Sequence, residues 1–155
     1  MAGTIDARLK ELGITLPDAP APAANYVPWV RTGNLVFVAG QLPMESGKAQ
    51  FVGKLGREFQ TAEGQKAARL CALNIIAQLR NAVGGDLDRV KRIVRVGGFV
   101  ACVPEFLEHP QVVNGASDTL VQIFGDAGKH ARAAVGVASL PRGVAVEVEA
   151  IAEIE

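Results

Sequence analysis

A chain of 155 residues, 49% hydrophobic and with 17 glycines, has the size of one ordinary globular domain and can bury most of an apolar core. Sixteen basic and sixteen acidic side chains cancel, which removes the electrostatic footprint that nonspecific nucleic-acid binding requires and makes nucleic acid a poor first guess. No stretch approaches roughly eighteen uninterrupted apolar residues, and "MAGTIDARLKELGI" has no long apolar export core, so the expectation is a soluble cytoplasmic protein without a membrane partner.

In chain order, residues 4 to 13 place Ile5, Leu9 and Leu12 at helical spacing, with Asp6 early and Gly13 as a stop. "TLPDAPAPAANYVP" follows with four of the eight prolines, which removes backbone donors and favours an extended surface tether over a separate domain. "WVRTGNLVFVAGQLP" reads as two strands around Thr32, Gly33 and Asn34, where the glycine and asparagine supply the backbone angles of a tight hairpin. Gly47, Gly53 and Gly56 make the next stretch loop-like.

From Thr61 to about Val83, Ala67, Leu70, Cys71, Asn74, Ile75 and Leu79 recur at three and four residues. This predicts a helix capped by Thr61 and ended by Gly84 and Gly85. "DRVKRIVRVGGFVAC" alternates from Val90 through Val96, setting Val90, Val94 and Val96 against Lys91 and Arg95 as in a half-buried strand. A second helix fits Pro110 to Gly125, and the chain closes with strands at about 131–138 and 144–154 joined by "SLPRG". The order β-β-α-β-α-β-β after a short helix, with a hairpin at either end, predicts an α+β two-layer sandwich with both main helices on one sheet face.

Cys71 and Cys102 lie in apolar runs with no cysteine or histidine nearby at metal-ligand spacing, so they read as buried free thiols in a reducing compartment. Cys102 shows no neighbouring base, and His109, beside Pro110, reads as a solvent-facing loop residue. Tyr26 and Trp29 either line a cleft or anchor the tether, the second reading being the stronger for Trp29. No Walker loop or dinucleotide fingerprint is present.

Arg132, ahead of a small-residue strand, fits either a salt bridge across an interface or a carboxylate anchor, because a guanidinium holds a carboxylate through two parallel hydrogen bonds. Period-two alternation puts Glu147, Glu149 and Ile151 on one face, opposite Val144, Val146, Val148 and Ala150. By pattern alone that face is simply solvated. Asn114 is either a helix cap or a ligand contact, and His130 either an ordinary strand-start residue or a pH-sensitive neighbour of Arg132.

"NYVPWV", "GNLVFVAGQLP", "GGDLDRVKRIVRVGGFV", "VVNGASDTLVQIFG" and "ARAAVGVASLPRGVAVEVEAIA" occur in an order that resembles the Rid (YjgF-like) family of reactive enamine/imine deaminases. The resemblance covers about residues 24 to 153, leaving 1–23 as an N-terminal helix and tether before a single domain at 24–155. "LGITLP" and "GKHARAAVG" resemble a longer branch of that family. The resemblance implies a chorismate-mutase-like α+β fold, a homotrimer with ligand clefts between subunits, and hydrolysis of imine acids to 2-keto acids and ammonia without metal or organic cofactor. It further implies that Arg132 binds the substrate carboxylate, that Glu147 handles the water, and that Tyr26, Gly40, Asn114 and Ala134 shape the cleft. Three positions depart from the family pattern. Ala39 stands where serine is usual before the glycine, Ala134 where cysteine is usual, and His130 where proline opens a Pro-Ala-Arg motif. These changes of pocket polarity point to an alternative, a non-catalytic trimer that binds small carboxylates. A ribonuclease or translation inhibitor is a third reading, disfavoured by the zero net charge and the lack of paired histidines.

Overall fold

A computed structural model of the chain describes residues 3–19 and 24–155; the centre of the proline-rich tether, 20–23, lies outside the described residues. Helix α1 (Thr4–Glu11) ends where Gly13 takes a φ of 68°. Its apolar side joins the common core through Leu9, with Ile5 and Leu12 packed beside it. The Asp88 carboxylate accepts the backbone N–H groups of Thr4 and Ile5 at 2.8 and 2.9 Å. A carboxylate there satisfies donors that the helix cannot use itself and sits at the positive end of its dipole. Arg80 adds an ion pair to Asp6 at 2.7 Å.

Strands β1 (Trp29–Thr32) and β2 (Leu35–Gln41) form the expected hairpin. Gly33, with φ of 57°, supplies the left-handed geometry of the turn, while Asn34 stays outside that region. The glycine-rich stretch that follows is not all loop: β3 (Met44–Glu45) and β4 (Lys48–Ala49) make a small separate hairpin. Asn74, fully buried in α2 (Thr61–Ala82), pins its entrance by donating to the carbonyls of Leu42 and Met44 at 3.2 and 3.0 Å. Thr61 is not the cap expected of it. Gln60 occupies the cap position without a side-chain bond, and the Thr61 hydroxyl instead donates to Glu108 at 2.9 Å.

The remaining elements are β5 (Val90–Ala101), α3 (His109–Phe124), β6 (Ala131–Val137) and β7 (Val146–Ile154). The five-stranded sheet runs β1-β2-β7-β5-β6. The expected C-terminal hairpin is absent. β6 pairs in parallel with β5 after the α3 crossover, and β7 inserts between β2 and β5, antiparallel to both. A strand as continuously apolar on one face as β7 gains more in the sheet centre than at an edge beside β6.

The predicted parity of β5 also changes. Its register against β7 shifts between Val90 and Arg92 and again between Ile93 and Arg95. Each bulge moves the alternation by one residue, so Val90, Ile93 and Val96 are buried while Val94 is exposed. Helices α2 and α3 cover one sheet face, crossing closely enough that a Cβ at Gly115 would lie 2.1 Å from the Gln65 carbonyl oxygen. The opposite face is open and carries exposed Val30, Phe37 and Val135.

Candidate functional site

On the helix-covered face, β6 presents Arg132, Ala134 and Gly136 in alternation, because Arg132 is in register with buried Val96 and Ala134 with Gly98. Arg132 Nη1 donates to Asn114 Oδ1 at 2.8 Å and to Ser117 Oγ at 3.2 Å, both on α3. No carboxylate among the described residues forms an ion pair with it. Its Nε and Nη2 have no protein partner among those residues. The guanidinium is thus fixed by two neutral acceptors on one edge, with its other edge and its whole charge left for an anion.

His130 completes the cluster. Its Nδ1 lies 2.6 Å from the Gly128 carbonyl, which can only accept, so Nδ1 carries the hydrogen. In the neutral ring Nε2 is then an acceptor, matched by the Ser117 hydroxyl at 2.9 Å. Burial pushes His130 below the ordinary imidazole range; the Gly128 hydrogen bond opposes this and the charge of Arg132 adds to it. His130 therefore stays neutral and adds no second cation near pH 7.

The second group of residues sits across the sheet. Glu147 is in register with Phe99 and points, like Glu149, to the open face. Gly40 follows the β2 irregularity beside it: a Cβ there would lie 1.9 Å from Glu147 Oε2. A side chain at position 40 would therefore push the Glu147 carboxylate aside. Burial raises the Glu147 carboxyl above its ordinary range, and the neighbouring charge of Glu149 raises it further. Each cause opposes an extra negative charge in a partly desolvated place. A groove of about 870 Å³ runs alongside, lined by Tyr26, Phe37, Gly40, Arg95, Glu149 and Ile151 among others. Ala39 lies at its edge, with its backbone tied to Pro28 and to the Gln41 side chain. Trp29 packs against the core and also lines the groove, so it fits both readings offered for it.

The predicted site residues thus fall into two groups. Arg132, Asn114, Ala134 and His130 meet in the seam between β6 and α3; Glu147, Gly40, Ala39 and Tyr26 gather on the open face. β6 and β7 flank β5 on opposite sides, and Arg132 and Glu147 are offset by three residues along it. That places their backbones roughly 10 Å apart along the strands and roughly 10 Å across them, with the sheet between the two side chains. Two participants escaped the sequence reading. Ser117 stands one helical turn beyond Asn114, a spacing that could have revealed it, and Arg95 looked like a solvated strand residue but lines the groove. Among the described residues no cluster of three or more His, Cys, Asp or Glu could hold a metal ion, and no helix is long and apolar enough to cross a membrane.

A family model described as YjgF/chorismate mutase-like, putative endoribonuclease, matches residues 6–154. The chain belongs to the YjgF-like family. This YjgF-like chain is 49% identical over 154 residues to protein TCP17 of Trypanosoma cruzi, covering 99% of the chain and 96% of that relative. It superposes with TM-score 0.92 on the crystal structure of Atu1372, a protein of unknown function from Agrobacterium tumefaciens, at 54% identity and with 97% and 92% of the two chains covered. Further off, a 2-iminobutanoate/2-iminopropanoate deaminase of Dermatophagoides farinae is 28% identical, with 92% and 95% covered. Escherichia coli TdcF with bound serine superposes at TM-score 0.64 and 26% identity, with 88% and 94% covered. The α+β, chorismate-mutase-like architecture expected of the sequence is the one this family shares.

Proposed function

We propose that this YjgF-like chain hydrolyses imine and enamine acids derived from amino acids to 2-keto acids and ammonia, in clefts that take Arg132 from one copy and Glu147 from the next. The observation that carries this reading is the Arg132 guanidinium, held by Asn114 and Ser117 with, among the described residues, no acid to neutralise it and one edge without a partner. A structural ion pair would have used that charge. The names of the mite deaminase and of the serine-bound TdcF support a small amino-acid-derived ligand.

In this mechanism Arg132 grips the substrate carboxylate. Glu147 takes a proton from water as the oxygen bonds to the imine carbon and passes that proton to the imine nitrogen, giving a neutral carbinolamine. The same carboxylate then takes the hydroxyl proton as the carbonyl forms and delivers it to the departing nitrogen, so that ammonia leaves. A carboxyl raised by burial suits both directions of that transfer near neutrality. Because one copy holds the two side chains on opposite sheet faces, the reading requires a symmetric oligomer. The homotrimer implied by the family resemblance would also cover Val30, Phe37 and Val135 on the open face.

Imine generated in situ from an amino acid, with its loss followed spectroscopically, tests the chemistry. Arg132→Ala and Glu147→Gln are each expected to lose about a hundredfold or more in kcat/KM. Refolding the two variants together should restore roughly one site in four through random assembly of unlike copies. No acceleration with several amino acids, alongside tight binding of 2-keto acids, would instead favour the carboxylate-binding module. A monomeric mass at micromolar concentration would exclude the shared cleft. The endoribonuclease reading in the family description would draw on paired histidines, and the two in this chain lie apart. His109 lies against Gly136 at one end of β6 and His130 precedes the other end, roughly 20 Å away along an extended strand.

A further inference from the structure

The far end of the β6–α3 seam holds a second group of reactive side chains. Cys102, just past β5, and His109, the first residue of α3, face each other with Sγ 3.4 Å from Nε2. This corrects the sequence expectation on both counts: His109 is partly buried rather than a solvent-facing loop residue, and Cys102 is partly accessible with a base beside it. The imidazole is set by Phe106, whose ring meets it edge-on at 5.9 Å and 72°. The Cys102 backbone N–H is tied to the Val137 carbonyl at 3.2 Å. Gly136 closes the group, and its lack of a side chain is a requirement: a Cβ there would lie 2.4 Å from His109 Nε2 and 2.9 Å from Cys102 Sγ. Any other residue would occupy the approach to the sulfur.

We infer that Cys102 and His109 form a thiol–imidazole nucleophile that captures α,β-unsaturated carbonyl compounds. The thiol proton passes to His109 Nε2 as the sulfur bonds to the β-carbon. The π electrons of the carbon–carbon double bond shift to the α-carbon, which recovers the proton from the imidazolium. Addition needs no oxidant and expels no leaving group. Burial pushes the Cys102 thiol up, against a backbone hydrogen bond with Val137 and the charge of Lys54, so a preformed thiolate is scarce and the base is what makes the sulfur reactive. Cys71 provides a contrast within the same chain. It is fully buried, its thiol is raised well above the ordinary range by burial and by Glu147, and its sulfur faces only the Val146 carbonyl.

N-Ethylmaleimide is the probe, with adduct sites read by peptide mass spectrometry on the native full chain from pH 5.5 to 8.5. The expected result is one adduct, at Cys102, with Cys71 unmodified until the chain is denatured. Across this range its rate should rise by well under the roughly tenfold per pH unit expected of an unassisted thiol, because the thiol proton passes to His109 instead of to solvent. His109→Gln should slow labelling about tenfold or more and restore that steep rise. The inference is overturned by a steep rise in the unaltered protein, or by labelling in a folded His109→Gln that stays within twofold. Should His109→Gln fail to fold, the pH profile of the unaltered chain decides alone. Imine hydrolysis assayed after full labelling is a separate readout, so failure here leaves the Arg132 cleft untouched.

Discussion

The β6–α3 seam and the open sheet face beside the groove carry the same number of predicted site residues but are built in opposite ways. In the seam, one chain of hydrogen bonds fixes the side chains: Arg132 is bonded to Asn114 and Ser117, and Ser117 to His130, whose other nitrogen is committed to Gly128. Positions are set there by hydrogen bonds, which favour one tautomer and one guanidinium orientation. On the open face, Glu147 is placed by what is missing: the side chain absent from Gly40 and the water excluded by burial. The first arrangement suits binding a fixed anion. The second suits a carboxyl that must gain and lose a proton, because few hydrogen bonds stabilise either form.

That contrast can be broken from the groove side first. Gly40→Ala should displace the Glu147 carboxylate and lower kcat about tenfold or more. The clash is with the end of a flexible side chain, so the melting temperature should stay within about 3 °C and 2-keto acid binding through Arg132 should persist. Loss of binding and activity together would mean that the two regions are not separable. In the seam, Ser117→Ala frees the guanidinium from one acceptor and leaves His130 Nε2 unpaired. The expectation is a several-fold rise in KM with kcat nearly kept, measured in the same imine assay. A smaller effect sharpens the role of Glu149, whose charge helps to raise Glu147. Deprotonated Glu147 is needed to activate water, so activity falls as pH drops through its raised pKa. Glu149→Gln removes the repulsion and should move that acid limb to lower pH. An unmoved limb would assign it to another group. The smallest effect concerns His130. Its folded pKa is depressed, so the unfolded chain takes the proton first and folding stability is lost as pH falls below the ordinary imidazole range, about 6.5. His130→Gln should flatten that loss in thermal melts taken from pH 7.5 to 5.5.

Much of the fold was legible because it is written in local patterns. Apolar spacing gave both long helices within a residue or two, paired glycines ended α2, and Gly33 marked the hairpin. Pattern also put Glu147 and Glu149 on one strand face. What failed was whatever depends on a neighbour distant in sequence. Val94 is exposed because β5 bulges against β7, Thr61 serves Glu108 rather than its own helix, and Cys102 gains its base from a histidine that no motif spacing connects to it. The place of Arg95 beside the groove was hidden for the same reason, whereas Ser117 was missed despite its one-turn spacing from Asn114.

By itself the sequence determined the α+β class, the family and the residues to suspect, since helix and strand periods are properties of contiguous segments. Only the tertiary structure decided that β7 lies between β2 and β5 while β6 takes the edge, because pairing partners are chosen by packing over the whole sheet. That choice sets β5 between Arg132 and Glu147, and their pairing with Val96 and Phe99, three residues apart along β5, puts the two side chains on opposite faces.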